Sequence, residues 1–167
     1  MDGIKRIEGL DIDEDISHQK KMWKIERISW IIMALFIIAA LAGFLGTGYF
    51  SKRMHNIGEN SKVEYHFFQR YSSVSELNFY IKAGAGYNPI SIALSQAYLK
   101  DAEIKRIEPE PASTEIIDDF YKYNFVNSSA AGLHILFYLE PKGFGTQTLS
   151  IIINGKNRTE IKQFVYP

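Results

Sequence analysis

Cysteine is absent from this chain of 167 residues. Disulfide staples, thiolate metal sites and cysteine nucleophiles are therefore excluded, although the absence names no compartment. An excess of one charge is lacking as well: nineteen Lys and Arg stand against nineteen Asp and Glu. A surface without surplus positive charge cannot neutralise a phosphate backbone, so nucleic acid is not expected as a partner. Between Arg27 and Lys52 no charged residue occurs at all. Beyond Val63 no apolar pattern of helical period runs for the about 10 to 15 residues that a helix between strands needs.

These gaps divide the chain into four expected segments: 1–27, a cytoplasmic N-terminal segment; 28–51, a transmembrane helix; 52–62, a tether; and 63–167, a β-sandwich domain. In the first, "DIDEDISHQKKMWKIERISW" places acids before bases, the order that suits a helix dipole, and predicts a helix starting near Asp15 or Ser17. The uncharged run exceeds the about 20 helical residues that cross a bilayer core of about 30 Å. Its Ile, Leu and Phe side chains each favour insertion by roughly 0.3 to 0.6 kcal/mol near the centre. Trp23, Arg27 and Trp30 at the start and Tyr49 and Phe50 at the end stand where membrane-interface residues are expected.

Other readings of the run are weaker. Ala40-Leu41-Ala42 has the small-x-small form of a signal cleavage site, but the preceding 27 residues are long and acidic for an n-region. A buried core helix should show polar residues at helical spacing, and only Ser29 interrupts the first part of the run. Ala39, Ala42, Gly43 and Gly46 recur at steps of three and four, which predicts a helix-packing face. Lys20, Lys21, Lys24 and Arg27 before the run outnumber Lys52, Arg53 and Lys62 after it, so the N-terminus is expected on the cytoplasmic side.

From Val63 onward the apolar period is two. Val63, Tyr65 and Phe67 alternate with polar neighbours, and so do Leu77, Phe79 and Ile81, then Ile90, Ile92 and Leu94. The same spacing returns at Tyr121, Tyr123 and Phe125, at Leu133 to Leu139, and at Leu149 to Ile153. "AGAGYNP", "EPEPAS", "NSSAAG", "EPKGFG" and "NGKN" supply turns between them. Seven to eight short strands without long helices predict an immunoglobulin- or fibronectin-like β-sandwich, an all-β domain preceded by one transmembrane α-helix.

No constellation carries chemistry. His66 and His134 fall in expected strands and would make half a metal site if those strands were neighbours, but the domain has no Met or Cys to complete one. Asp118-Asp119 and Glu108-Pro109-Glu110 lack a positioned nucleophile or a phosphate-binding glycine loop, and read as solvated turns. "GFGTQT" and "GAGYNP" lack the flanking strand and helix of nucleotide motifs. Asn127 and Asn157 sit in glycosylation sequons, which arise often by chance. No catalytic, cofactor-binding or metal residue is expected, and no enzyme.

"WKIERISW", "AALAGFLGTG" and "VEYHFFQRY" together resemble a group of small single-span bacterial membrane proteins of unknown function. Trp23, Arg27, Trp30, Gly43, Gly46, Gly48, Val63, Glu64, Tyr65 and Arg70 carry the match, which covers the first 70 residues. The resemblance implies a bacterial inner-membrane protein with a periplasmic or extracellular domain, a lipid bilayer around its helix and a multi-span membrane protein as companion. The expected function is that of an accessory or interaction protein presenting its sandwich outside the cytoplasm. The alternative is an anchored periplasmic module that binds a ligand or metal.

Overall fold

A computed structural model describes residues 16–41, 51–82, 89–126 and 132–167. The chain falls into two compact units, 1–39 and 40–167. In the first, the described element is helix α1 (Ile16–Leu41). Its N-terminal part carries Lys20, Lys21, Lys24, Glu26 and Arg27, and the Arg27 guanidinium lies 3.6 Å from the centroid of the Trp23 ring, one helical turn back. This i, i+4 pair is a cation–π contact.

The membrane-anchor expectation is corrected here. Among the described residues no helix is long and apolar enough to cross a membrane. The first turns of α1 are charged, and the described part of its apolar run, residues 28–41, covers about 21 Å at about 1.5 Å per residue, against a hydrocarbon core of about 30 Å. The far end of the expected span, Ser51, is instead fully buried in the β unit, where its hydroxyl exchanges hydrogen bonds with the backbone of Phe68. Ala42, Gly43, Gly46, Tyr49 and Phe50 lie outside the described residues. With the span go the readings that rested on it. These are the transmembrane helix of the fold class, the lipid bilayer and multi-span membrane protein as partners, and the inner-membrane location with a cytoplasmic N-terminus. The anchored accessory function and the likeness to single-span proteins fall with them.

The second unit is built of strands. Their order is β1 (Lys52–Ile57), β2 (Ser61–His66), β3 (Phe68–Arg70), β4 (Ser75–Ile81), β5 (Ile90–Ser95), a turn of helix α2 (Gln96–Leu99) and β6 (Ala102–Glu108). There follow β7 (Ser113–Ile117), β8 (Phe120–Phe125), β9 (Leu133–Pro141), β10 (Gly145–Ile153) and β11 (Asn157–Tyr166). Eleven strands are thus described where seven to eight are expected. The residues of period two lie in β2, β4, β5, β8, β9 and β10, except Phe67, which falls between β2 and β3. The additional strands are β1, where a tether is expected, and β3, β6, β7 and β11.

Sheet A has the order β1-β2-β4-β9-β6 and sheet B the order β3-β11-β10-β5-β8-β7. All pairings are antiparallel except β3 with β11. One apolar face of each sheet is buried in a single shared core, with Val63, Phe79 and Phe137 from sheet A and Ile92, Phe125 and Ile151 from sheet B. The Phe137 ring joins the layers: its centroid is 5.4 Å from Tyr123 and 6.3 Å from Phe125 on β8, and 5.6 Å from Phe79 on β4, all edge to face. Period two explains the burial. In β9, Ile135, Phe137 and Leu139 point inward, while His134, Leu136 and Tyr138 face the other side and are partly exposed.

The β10–β11 hairpin shows how turn chemistry sets register. Asn154 and Gly155 both have left-handed backbones, φ +53° and +67°, the conformations that Asn and Gly adopt at least cost. The Asn154 side chain accepts a hydrogen bond from Ser91 N at 2.9 Å, and its own N–H donates to Ser91 O, tying the turn to β5.

Candidate functional site

Register places three side chains in one row across the outer face of sheet A: Lys62 on β2 is opposite Tyr80 on β4, which is opposite His134 on β9. Directly opposed residues on one face of an antiparallel pair have close Cβ atoms, so the two rings meet. Tyr80 and His134 stack with centroids 4.4 Å apart and planes 6° from parallel. Both are exposed. The row ends at His134, because β6 pairs with β9 only from Leu136 onward, and Gly132 beside it has no side chain. Among the described residues one imidazole face is therefore left uncovered by a neighbouring strand.

Around this stack is a cleft of about 520 Å³, lined also by Met54, Lys62, Glu64, Lys82 and Leu133. That is within the range of about 300 to 1,000 Å³ typical of small-molecule pockets. Glu64 is occupied by Lys52 at 2.9 Å, and this hydrogen bond raises the lysine pKa above its ordinary value. Lys62 and Lys82 form no ion pair among the described residues and give the cleft a positive balance. An apolar floor, a stacked ring pair and two ammonium groups can hold a flat anionic group.

His66 and His134 are not brought together. His134 lines up with Lys62, four residues from His66 along β2, a separation of about 13 Å at about 3.3 Å per residue. Burial holds the His66 imidazole below its ordinary pKa, helped by Lys52 and opposed by Glu76 and Glu64. Among the described residues no group of three or more His, Cys, Asp or Glu can hold a metal ion.

A second polar cluster links β6 and β9. The Glu140 carboxylate accepts hydrogen bonds from Lys105 at 2.8 Å, from Lys142, and from the Ser72 hydroxyl at 2.6 Å. Lys105, then Lys142 and Ser72, hold its pKa down to about 2. Glu103 joins through Lys105 at 2.7 Å, which lowers its pKa and raises that of the lysine. A carboxylate this stabilised is a poor proton acceptor, so it orients Ser72 without activating it.

Asp118 and Asp119 are exposed in the β7–β8 turn, and the Glu108 carboxylate is paired with Arg106 on its own strand. Asn157 is exposed at the start of β11; Asn127 lies outside the described residues. Of the expected interface residues, Trp23, Arg27 and Trp30 lie on α1. Ala39 is on α1 near its C-terminal end. The Tyr80–His134 pair was not legible beforehand. Its signal is that both residues take outward positions in strongly alternating strands, but the register that makes them opposite is a long-range property.

No family model and no curated protein matches the chain. Among solved structures, a cohesin module from a Clostridium perfringens ATCC13124 family 33 glycoside hydrolase is 11% identical over 64% of this chain and 95% of that chain, with a TM-score of 0.44. A GH20 exo-β-N-acetylglucosaminidase from Vibrio harveyi is 10% identical over 70% of this chain but only 18% of that one, with a TM-score of 0.26. The human F-spondin reeler domain is 14% identical over 72% of this chain and 87% of that one, with a TM-score of 0.27. Likeness at this level bears on neither activity nor partner.

Proposed function

We propose that the β unit is a recognition module that binds its ligand without transforming it, using the outer face of sheet A around Tyr80 and His134. The observation that carries the reading is the exposed, parallel ring stack in a cleft of about 520 Å³ flanked by Lys62 and Lys82. Flat ring faces reward a planar partner, and ammonium groups reward negative charge. The ligand class is accordingly a small organic anion with a flat ring. The recognition module comprises residues 51–167, since Ser51 and β1 belong to the packed sheets. Close packing of another helix against Ala39, Ala42, Gly43 and Gly46 is a separate proposal, tested by whether Ala39→Leu and Gly43→Leu weaken any self-association.

Benzoate is a suitable probe. Titrated into the full chain and followed by NMR, it should shift the ring resonances of Tyr80 and His134 before any others. His134→Ala, a change at an exposed side chain, should abolish the saturable response while leaving the fold intact. Shifts scattered over the surface, or a response unchanged in His134→Ala, would sink the proposal.

A further inference from the structure

The two sheets have four edge strands, and three are blunted in the ways that prevent pairing with foreign strands. β1 carries Lys52, Arg53 and His55; β3 is three residues long; β6 is broken by a register shift between Ile104 and Arg106 and carries Lys105 and Arg106. The fourth, β7, has none of these devices. Its sequence, Ser-Thr-Glu-Ile-Ile, contains no cation and no Pro, and its pairing with β8 runs unbroken from Ser113 to Ile117.

All five β7 residues are exposed, Ile116 at 65% and Ile117 at 44%. Among the described residues no strand pairs with its outer edge. Thr114 and Ile116 share the face of Tyr123 and Tyr121, the core side of sheet B, so Ile116 is on the core-facing side yet is left exposed among the described residues. A strand added beyond β7 would continue sheet B and shelter it.

Charge decides which strand. Glu108, Glu110, Glu115, Asp118 and Asp119 lie on β7 or within a few residues of its ends. Arg106 is engaged by Glu108, and Lys122 reaches Glu115 at 3.4 Å. A second copy of this chain is a poor occupant, because antiparallel self-pairing about the middle of β7 sets Glu115 opposite Glu115 and doubles the acidic surroundings. We infer that β7 is a docking edge that adds an extended segment of another polypeptide in which Lys or Arg alternates with β-branched apolar residues. The backbone of β7 supplies the ladder, Ile116 the apolar contact, and the acids the selection.

The probe is a capped Lys-Val-Lys-Val-Lys-Val peptide added to the full chain, with hydrogen exchange read amide by amide. Binding should slow exchange at the outward-facing amides of β7 and leave those of β1 and β6 unchanged. Ile116→Lys charges the edge and Glu115→Lys reverses the selecting charge; each should weaken binding by at least about tenfold. Both sites are exposed, and an unchanged urea midpoint shows that a variant folds. A Glu-Val-Glu-Val-Glu-Val peptide binding equally well, protection elsewhere, no protection at all, or self-association lost in Ile116→Lys would each overturn the inference.

Discussion

At the scale of single residues, the interior is tied together by one polar thread among the apolar contacts. The Tyr98 hydroxyl donates to Gln163 Oε1 at 2.8 Å, and Gln163 Nε2 donates to the carbonyl of His66 at 3.1 Å. Gln163 is fully buried, so its amide depends on these two partners. Burial pushes the Tyr98 hydroxyl above its ordinary pKa and that of Tyr123 up to about 12, so both stay neutral. Tyr98→Phe leaves the Gln163 oxygen without its donor and should destabilise the fold by about 1–3 kcal/mol, measured by urea unfolding. A loss much smaller than this would mean that water replaces the hydroxyl. Gln163 lies with Ile161 and Val165 on the inner face of β11, a strand that the apolar pattern of the sequence did not reveal. Its partners were not legible, since Tyr98 precedes it by 65 residues.

At the scale of elements, the β10–β11 hairpin concentrates its specificity in Asn154. Asn154→Ala removes the acceptor for Ser91 N and puts a side chain with little tolerance for φ +53° into the turn. The expected cost is about 1–3 kcal/mol by urea unfolding, and Asn154→Gly should recover the backbone part of it alone. If alanine and glycine behave alike, the turn conformation is not what matters. "NGKN" announces this turn plainly. Elements at the margins were harder to read for a physical reason: an edge strand meets solvent on more than one side and need not alternate. "KRMHNI" therefore reads as a tether yet forms β1, and "AEIKRIE", charged at four of seven positions, forms β6. The uncharged run after Arg27 misleads in the other direction, because an absence of charge does not make the described helix, whose first turns are charged, long and apolar enough to cross a membrane.

At the scale of the whole molecule, acid should act on the fold in two windows. Glu140 has a folded pKa near 2, below its ordinary 4.5, so its contribution is complete above about 4.5 and is lost as pH falls toward 2. His66 is also depressed, which means that the folded state binds its proton less readily than the unfolded chain. Stability then declines as pH falls below the ordinary imidazole value of about 6.5. Urea midpoints taken from pH 8 to pH 2 should fall in both windows, and Glu140→Gln should flatten the lower one only. A lower window that persists in that variant would assign it to other carboxylates.

The clasp of β3 alongside β11 has a kinetic consequence. Phe68 pairs with Phe164, and β4 must find β9 and β5 must find β10 across comparably remote stretches of chain. These three pairings join segments that begin far apart, and each meeting spends loop entropy before any contact repays it. A fold assembled from such distant partners gathers in about milliseconds to seconds, long after a helix like α1 can form on its own.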